Sequence, residues 1–184
     1  MPELRRRTGF TLVELLVAVG LGVLLCGVAM RLLLGEVRHG GALAQRWLLK
    51  GMQRRTLDLV KADLDVAASW QVAPVPAQTA VWSCPLAGRQ PLLAITPRHG
   101  TGPVLYSVGT APSPIWRGRV LMRCGPAFDL EGRMRPGSNY QNRVVLDAVE
   151  AFRITQPDGL PVLKLELEQR LPGNGPQVSS SAFG

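Results

Sequence analysis

Residues 10–30 are apolar at almost every position, and one carboxylate, Glu14, interrupts the run near its start. As a helix this stretch would rise about 30 Å, one hydrocarbon thickness. Helical periodicity then continues. Ala44, Leu48, Met52, Val60 and Leu64 recur every four residues or at multiples of four, with Val37, Trp47 and Leu57 adjoining. Gln45, Arg46, Lys50, Arg54, Lys61 and Asp65 fill much of the remaining surface. This pattern predicts an amphipathic helix that lays its apolar stripe on a sheet. The next residues unable to continue a helix are Pro74 and Pro76, so the helix is expected to end near Trp70.

Past Pro76 the period changes to short β-candidates separated by Pro and Gly. They are Ala80-Val81-Trp82, Leu92-Leu93-Ala94-Ile95, Val104 to Val108, Ile115 to Arg123, Arg143 to Thr155 and Val162 to Glu168. The last alternates strictly, as a half-exposed strand does. Gln156-Pro157-Asp158-Gly159 supplies a turn, since Pro presets φ and Gly accepts a positive φ. The two flanking segments therefore read as an antiparallel pair. The expected class is α+β, with one long N-terminal helix packed on an antiparallel sheet.

A charged group inside a bilayer is costly and usually functional. Arg5-Arg6-Arg7-Thr8-Gly9 precedes the apolar run, so the small residue, Gly9, lies before the hydrophobic segment. In an ordinary secretory signal it lies after it. A basic leader, a Gly9–Phe10 junction and a glutamate four positions beyond Phe10 resemble the class III signal of type IV pilins and type II secretion pseudopilins. The resemblance implies cleavage between Gly9 and Phe10 by a prepilin peptidase and N-methylation of Phe10. It also implies an assembly role for Glu14, opposite the terminal amine of a neighbouring subunit. A carboxylate in hydrocarbon needs such a compensating charge. Implied partners are other major and minor pilins, the inner-membrane assembly platform and membrane lipid.

The Val-Leu-Asp-Ala-Val-Glu-Ala-Phe segment, with the Leu-Pro-Val-Leu-Lys-Leu-Glu-Leu strand after it, resembles the C-terminal half of PilW-like minor pilins and GspJ-type pseudopilins. So do Leu57 to Leu64, Val104-Leu105-Tyr106 and Ile115-Trp116-Arg117. The resemblance implies a minor subunit, with a priming or tip role.

The boundaries that follow are a leader at 1–9, an assembly and membrane helix at 10–34, its amphipathic continuation at 35–72, a β-rich domain at 73–172 and a flexible tail at 173–184. By the positive-inside rule the three leading arginines stay in the cytoplasm and the β-rich domain faces outward. The expected location is the inner membrane as a single pass, then a pilus or pseudopilus. Ala18, Gly22 and Cys26 share one helical face, which is either a close-packing surface or ordinary glycine enrichment of a span. The proline that often kinks this helix in major pilins is missing.

Cys84 and Cys124 lie in the outward domain, where an oxidising compartment favours a disulfide; two unpaired buried thiols are the alternative. Cys26 reads as an inert small residue. No C-x-x-C occurs and His39 and His99 are isolated, so neither a metal nor another cofactor is expected.

The formal net charge is +8, and no carboxylate side chain occurs between Asp65 and Asp129. That interval carries five arginines. Arg117, Arg119 and Arg123 either contact DNA or another polyanion, with Trp116 and Tyr106 stacking, or form a solvated face with those aromatics in the core. Asp58, Asp63, Asp65, Asp147 and Glu150 read as solvated charges. No nucleophile elbow, P-loop or zincin motif is present, so an enzyme is not expected. Three readings stay open: a type IV pilus minor subunit, a type II secretion pseudopilin, and a DNA-binding pilus subunit for uptake.

Overall fold

A computed structural model describes residues 11–75, 82–99, 102–127, 139–170 and 177–184, with the backbone only at residue 33 and residues 35–42. The expectations for Gly9, Phe10, the leader arginines and Ala80-Val81 lie outside the described residues. The chain divides into two units, Met1–Gln45 and Arg46–Gly184. Helix α1, Leu12–Asp65, contributes to both.

The second unit is α+β. Strands β1 (Ala67–Val72), β2 (Gln90–Pro97), β3 (Val104–Thr110), β4 (Arg119–Pro126) and β5 (Tyr140–Leu146) form an antiparallel sheet in sequence order. Strands β6 (Val149–Thr155), β7 (Lys164–Arg170) and β8 (Gln177–Phe183) form a second antiparallel sheet. The segment read from the sequence as one strand, residues 143–155, is divided at Asp147-Ala148. Ala148 takes φ 51° there, and its N–H donates to the Arg117 carbonyl at 2.7 Å. The chain thereby leaves one sheet and enters the other. The expected pairing of the two later strands appears as β6 against β7, with Phe152 opposite Leu167. Gly159 in the turn between them has φ 76°.

Strand alternation sorts side chains to two faces. Tyr106, Val108, Leu93, Ile95 and Leu121 join Leu57, Val60 and Leu64 of α1 in the main core, which Phe152, Leu165 and Leu167 of the second sheet complete. On the other face of the first sheet, Leu105 and Cys124 pack with Cys84 in a smaller cluster. β3 is buried on both sides over residues 104–108, which explains why that stretch is apolar at every position but Ser107.

Three features depart from the sequence reading. Helix α1 stops at Asp65, not near Trp70, because residues 67–72 pair with β2; Arg98 then donates from its backbone to the Val66 carbonyl and from Nε to the Ala67 carbonyl. Sheet pairing overrides a helical continuation that only Pro74 would have ended. Second, the tail read as flexible holds β8, whose ladder with β7 runs from Gln177 to Phe183. The buried amide of Gln53 clamps it, donating to the Val178 carbonyl at 2.9 Å and accepting from Ser180 Oγ at 2.7 Å.

Third, the inward face of α1 is rotated from the expected stripe. Leu49, Gln53, Thr56, Leu57, Val60, Asp63 and Leu64 are buried, whereas Ala44, Trp47, Leu48 and Met52 are exposed. The polar members turn inward because the sheets offer them partners, so hydrophobicity alone does not set the docking face.

Candidate functional site

Glu14 lies in the first turn of α1. The apolar stretch Leu12–Leu32 is 21 residues long, enough to cross a membrane, and none of it is buried. Thr11 caps this helix. Its Oγ1 accepts from the Glu14 N–H at 3.4 Å, while Glu14 Oε2 accepts from the Thr11 N–H at 3.2 Å and from Thr11 Oγ1 at 3.0 Å. The reciprocal pair is a capping box, which satisfies otherwise orphaned N–H groups at the helix start. Both bonds to the carboxylate use Oε2, so Oε1 retains acceptor capacity for a cation. An anionic group at a helix N-terminus is also favoured by the macrodipole. The arrangement holds a single negative charge at one end of a bare apolar helix.

Ala18, Gly22 and Cys26 are exposed on α1, and Cys26 is a free thiol. In the second unit Cys84 and Cys124 are joined by a disulfide across a sequence separation of 40. The bond ties residue 84, before β2, to β4 over the outer face of the first sheet.

The three arginines considered for anion binding do not act together. Arg123, on β4, is buried and belongs to the interior: its Nε donates to Asp63 Oδ2 at 2.7 Å and its Nη2 to Asp63 Oδ1 at 2.9 Å. Tyr106, on β3, donates its hydroxyl to the same Oδ2 at 2.5 Å. This corrects the reading of Arg123 and Asp63 as solvated charges, and it places Tyr106 in the core, as one of the two readings had it, where it is unavailable for stacking. Desolvation pulls the Arg123 pKa down, but the hydrogen bonds and charge of Asp63 raise it on balance. Burial raises the Tyr106 pKa well above its ordinary value, and the neighbouring Asp63 charge adds to the rise. Arg117 and Arg119 are exposed. The Arg117 N–H donates to Asp147 at 3.3 Å, and Arg119 Nη1 to the Glu150 carbonyl at 3.4 Å. Glu150 in turn pairs with Arg170 at 3.0 Å.

One signal for Asp63 was available in the sequence. It lies between Val60 and Leu64 on the apolar face of the helix, where a carboxylate requires a buried cation. Arg123 sits correspondingly within the apolar run Val120-Leu121-Met122 and Cys124. Which arginine met which acid was decided by the strand order.

A family model for the prokaryotic N-terminal methylation motif matches residues 4–30. This N-terminus is a class III signal of the pilin and pseudopilin type. The match brackets the Gly9–Phe10 junction, Glu14 and nearly all of the bare apolar helix. The family that carries the class III signal is structural rather than enzymatic. The apolar helix fits a single-pass anchor. No curated protein and no solved structure matches the chain.

Proposed function

We propose that the chain is a minor pilin-like structural subunit of a type IV pilus, acting in assembly, priming or at the tip. The observation that carries this reading is the class III signal followed by a bare apolar helix whose one early charge is Glu14. Prepilin peptidase cuts between Gly9 and Phe10, and the new amine of Phe10 is methylated. The anchored subunit waits in the inner membrane with its N-terminus in the cytoplasm and residues 46–184 outside. The disulfide supports that side assignment, because such bonds persist in oxidising compartments.

The mechanism is mechanical. The helix leaves lipid for a bundle of other major and minor pilins at the inner-membrane assembly platform. Glu14 meets a neighbour's terminal amine, and this replaces two separately desolvated charges by a pair. Lipid tails are as apolar as the helix, so close helix packing and the Glu14–amine pair, not removal of surface from water, favour the transfer. No cofactor takes part.

Deletion of the gene tests the system served. Loss of surface fibres supports the pilus reading; loss of exoprotein secretion with fibres intact assigns the chain to a type II secretion pseudopilus instead. Fibres that persist but fail to retain DNA would point to uptake, a reading weakened by the interior position of Arg123.

A further inference from the structure

The rotation of α1 leaves an apolar surface without an internal partner. Leu48 and Trp47 are 68% and 70% exposed, and Met52 is 41% exposed. Met52 and Leu59 form one wall of a groove of about 280 Å³ whose other wall is Trp116 and Val145. All of these residues belong to the second unit. Beyond Trp116, Ile115 is 77% exposed. A cluster of large apolar side chains with a charged margin marks an interaction surface more often than chance exposure.

The margin identifies the kind of occupant. Arg55 lines the groove and is exposed, and Arg117 follows Trp116 directly in the chain. Asp147, the carboxylate that lines the groove, accepts a hydrogen bond from the Arg117 N–H. A second copy of this chain is a poor occupant. Without the leader's three arginines and Glu3 it still carries a formal side-chain charge of +6 (+8 less +2), and like charges set against each other across an interface suppress association.

We propose that this groove receives a different protein subunit, one that presents an apolar ridge flanked by carboxylates. The ridge fills the space between Met52 and Trp116, and the carboxylates meet Arg55 and Arg117. An aromatic anchor beside an arginine is the composition that concentrates binding energy in interfaces. The proposal rests on the subunit reading given above. It adds that the neighbour at this face is an acidic chain and not another copy.

Site-specific photocrosslinking in the full chain, expressed in its native envelope, tests this. Benzoylphenylalanine replaces Met52 or Trp116 in separate variants, and Asp58, exposed on the same helix outside the groove, serves as the control position. Both groove variants are expected to trap one other protein, with a crosslinked peptide that carries Asp or Glu, while position 58 does not. Arg55→Glu should lower the Met52 adduct about tenfold, and Arg55→Lys should largely preserve it. Arg54→Glu makes the same change of net charge outside the groove and should leave the yield unchanged. Adducts with lipid alone, with this chain alone or within it, equal trapping from position 58, or indifference to Arg55→Glu would each overturn the proposal. The N-terminal mass of each variant is read in parallel, so that failure of processing, which strikes the subunit reading, is distinguished from failure of the groove.

Discussion

Arg123 grips Asp63 through two parallel N–H donors, 2.7 and 2.9 Å long, with both side chains almost wholly buried. The pair links β4 to the last turns of α1, and Tyr106 from β3 completes it. Planar guanidinium suits this two-point contact, which lysine cannot reproduce.

Removing one partner strands the other charge in the core. Asp63→Asn is expected to cost about 3–5 kcal/mol, whereas Asp63→Leu with Arg123→Met should cost clearly less than the two single changes combined. Urea unfolding of the detergent-solubilised chain, followed by tryptophan fluorescence, measures both. A double-variant loss equal to the sum of the Asp63→Leu and Arg123→Met losses would mean that the pair is not coupled.

Tyr106 makes stability depend on alkaline pH. Burial, with Asp63 second, holds its folded pKa well above the ordinary value of 10.0. The unfolded chain releases this proton near 10, so the stabilisation is complete below about pH 10 and declines as pH rises toward the folded value. Burial also raises Tyr140, against a smaller opposing effect of Arg123. Absorbance at 295 nm should therefore show little tyrosinate near pH 10 until the chain unfolds. Tyr106→Phe should lose about 1.5–3 kcal/mol at neutral pH and flatten the alkaline decline. A normal tyrosinate titration in the folded protein would contradict the buried hydrogen bond.

The Cys84–Cys124 bond closes a long loop and constrains the unfolded chain. Cys84→Ser with Cys124→Ser should reduce stability by about 3–4 kcal/mol on the chain-entropy model. Reductant should produce a comparable fall in the parent and none in the double variant. Denaturant midpoints with and without dithiothreitol decide this.

At the helix start, Glu14→Ala should give a trimmed protein that stays in the membrane fraction and is poorly incorporated into filaments. Thr11→Val removes the side-chain half of the capping box, at about 1 kcal/mol of helix stability, while retaining the charge. Its incorporation should fall less than that of Glu14→Ala. Shear-released filaments and membranes, compared by quantitative immunoblot, separate the two. Equal incorporation of all three proteins would remove the role given to Glu14.

Much of this was legible in the residue pattern, for reasons that also mark its limits. The N-terminal methylation motif over residues 4–30 is local in sequence, so it reads without the fold. The β6–β7 pair was readable because its turn residues and its alternation agree. The inward face of α1 was not. Leu48 and Met52 are more apolar than Gln53 and Asp63, and only the positions of Val178, Ser180 and Arg123 in the sheets reverse the choice. The β8 strand was similarly hidden, since Ser179-Ser180-Ser181 has little strand character and owes its order to β7 and Gln53.

Intact-mass and N-terminal peptide analysis of the native protein tests the central claim most directly. The account predicts a mature chain that begins at Phe10 and carries one added methyl group on its amine. A native chain that still bears residues 1–9 would contradict it.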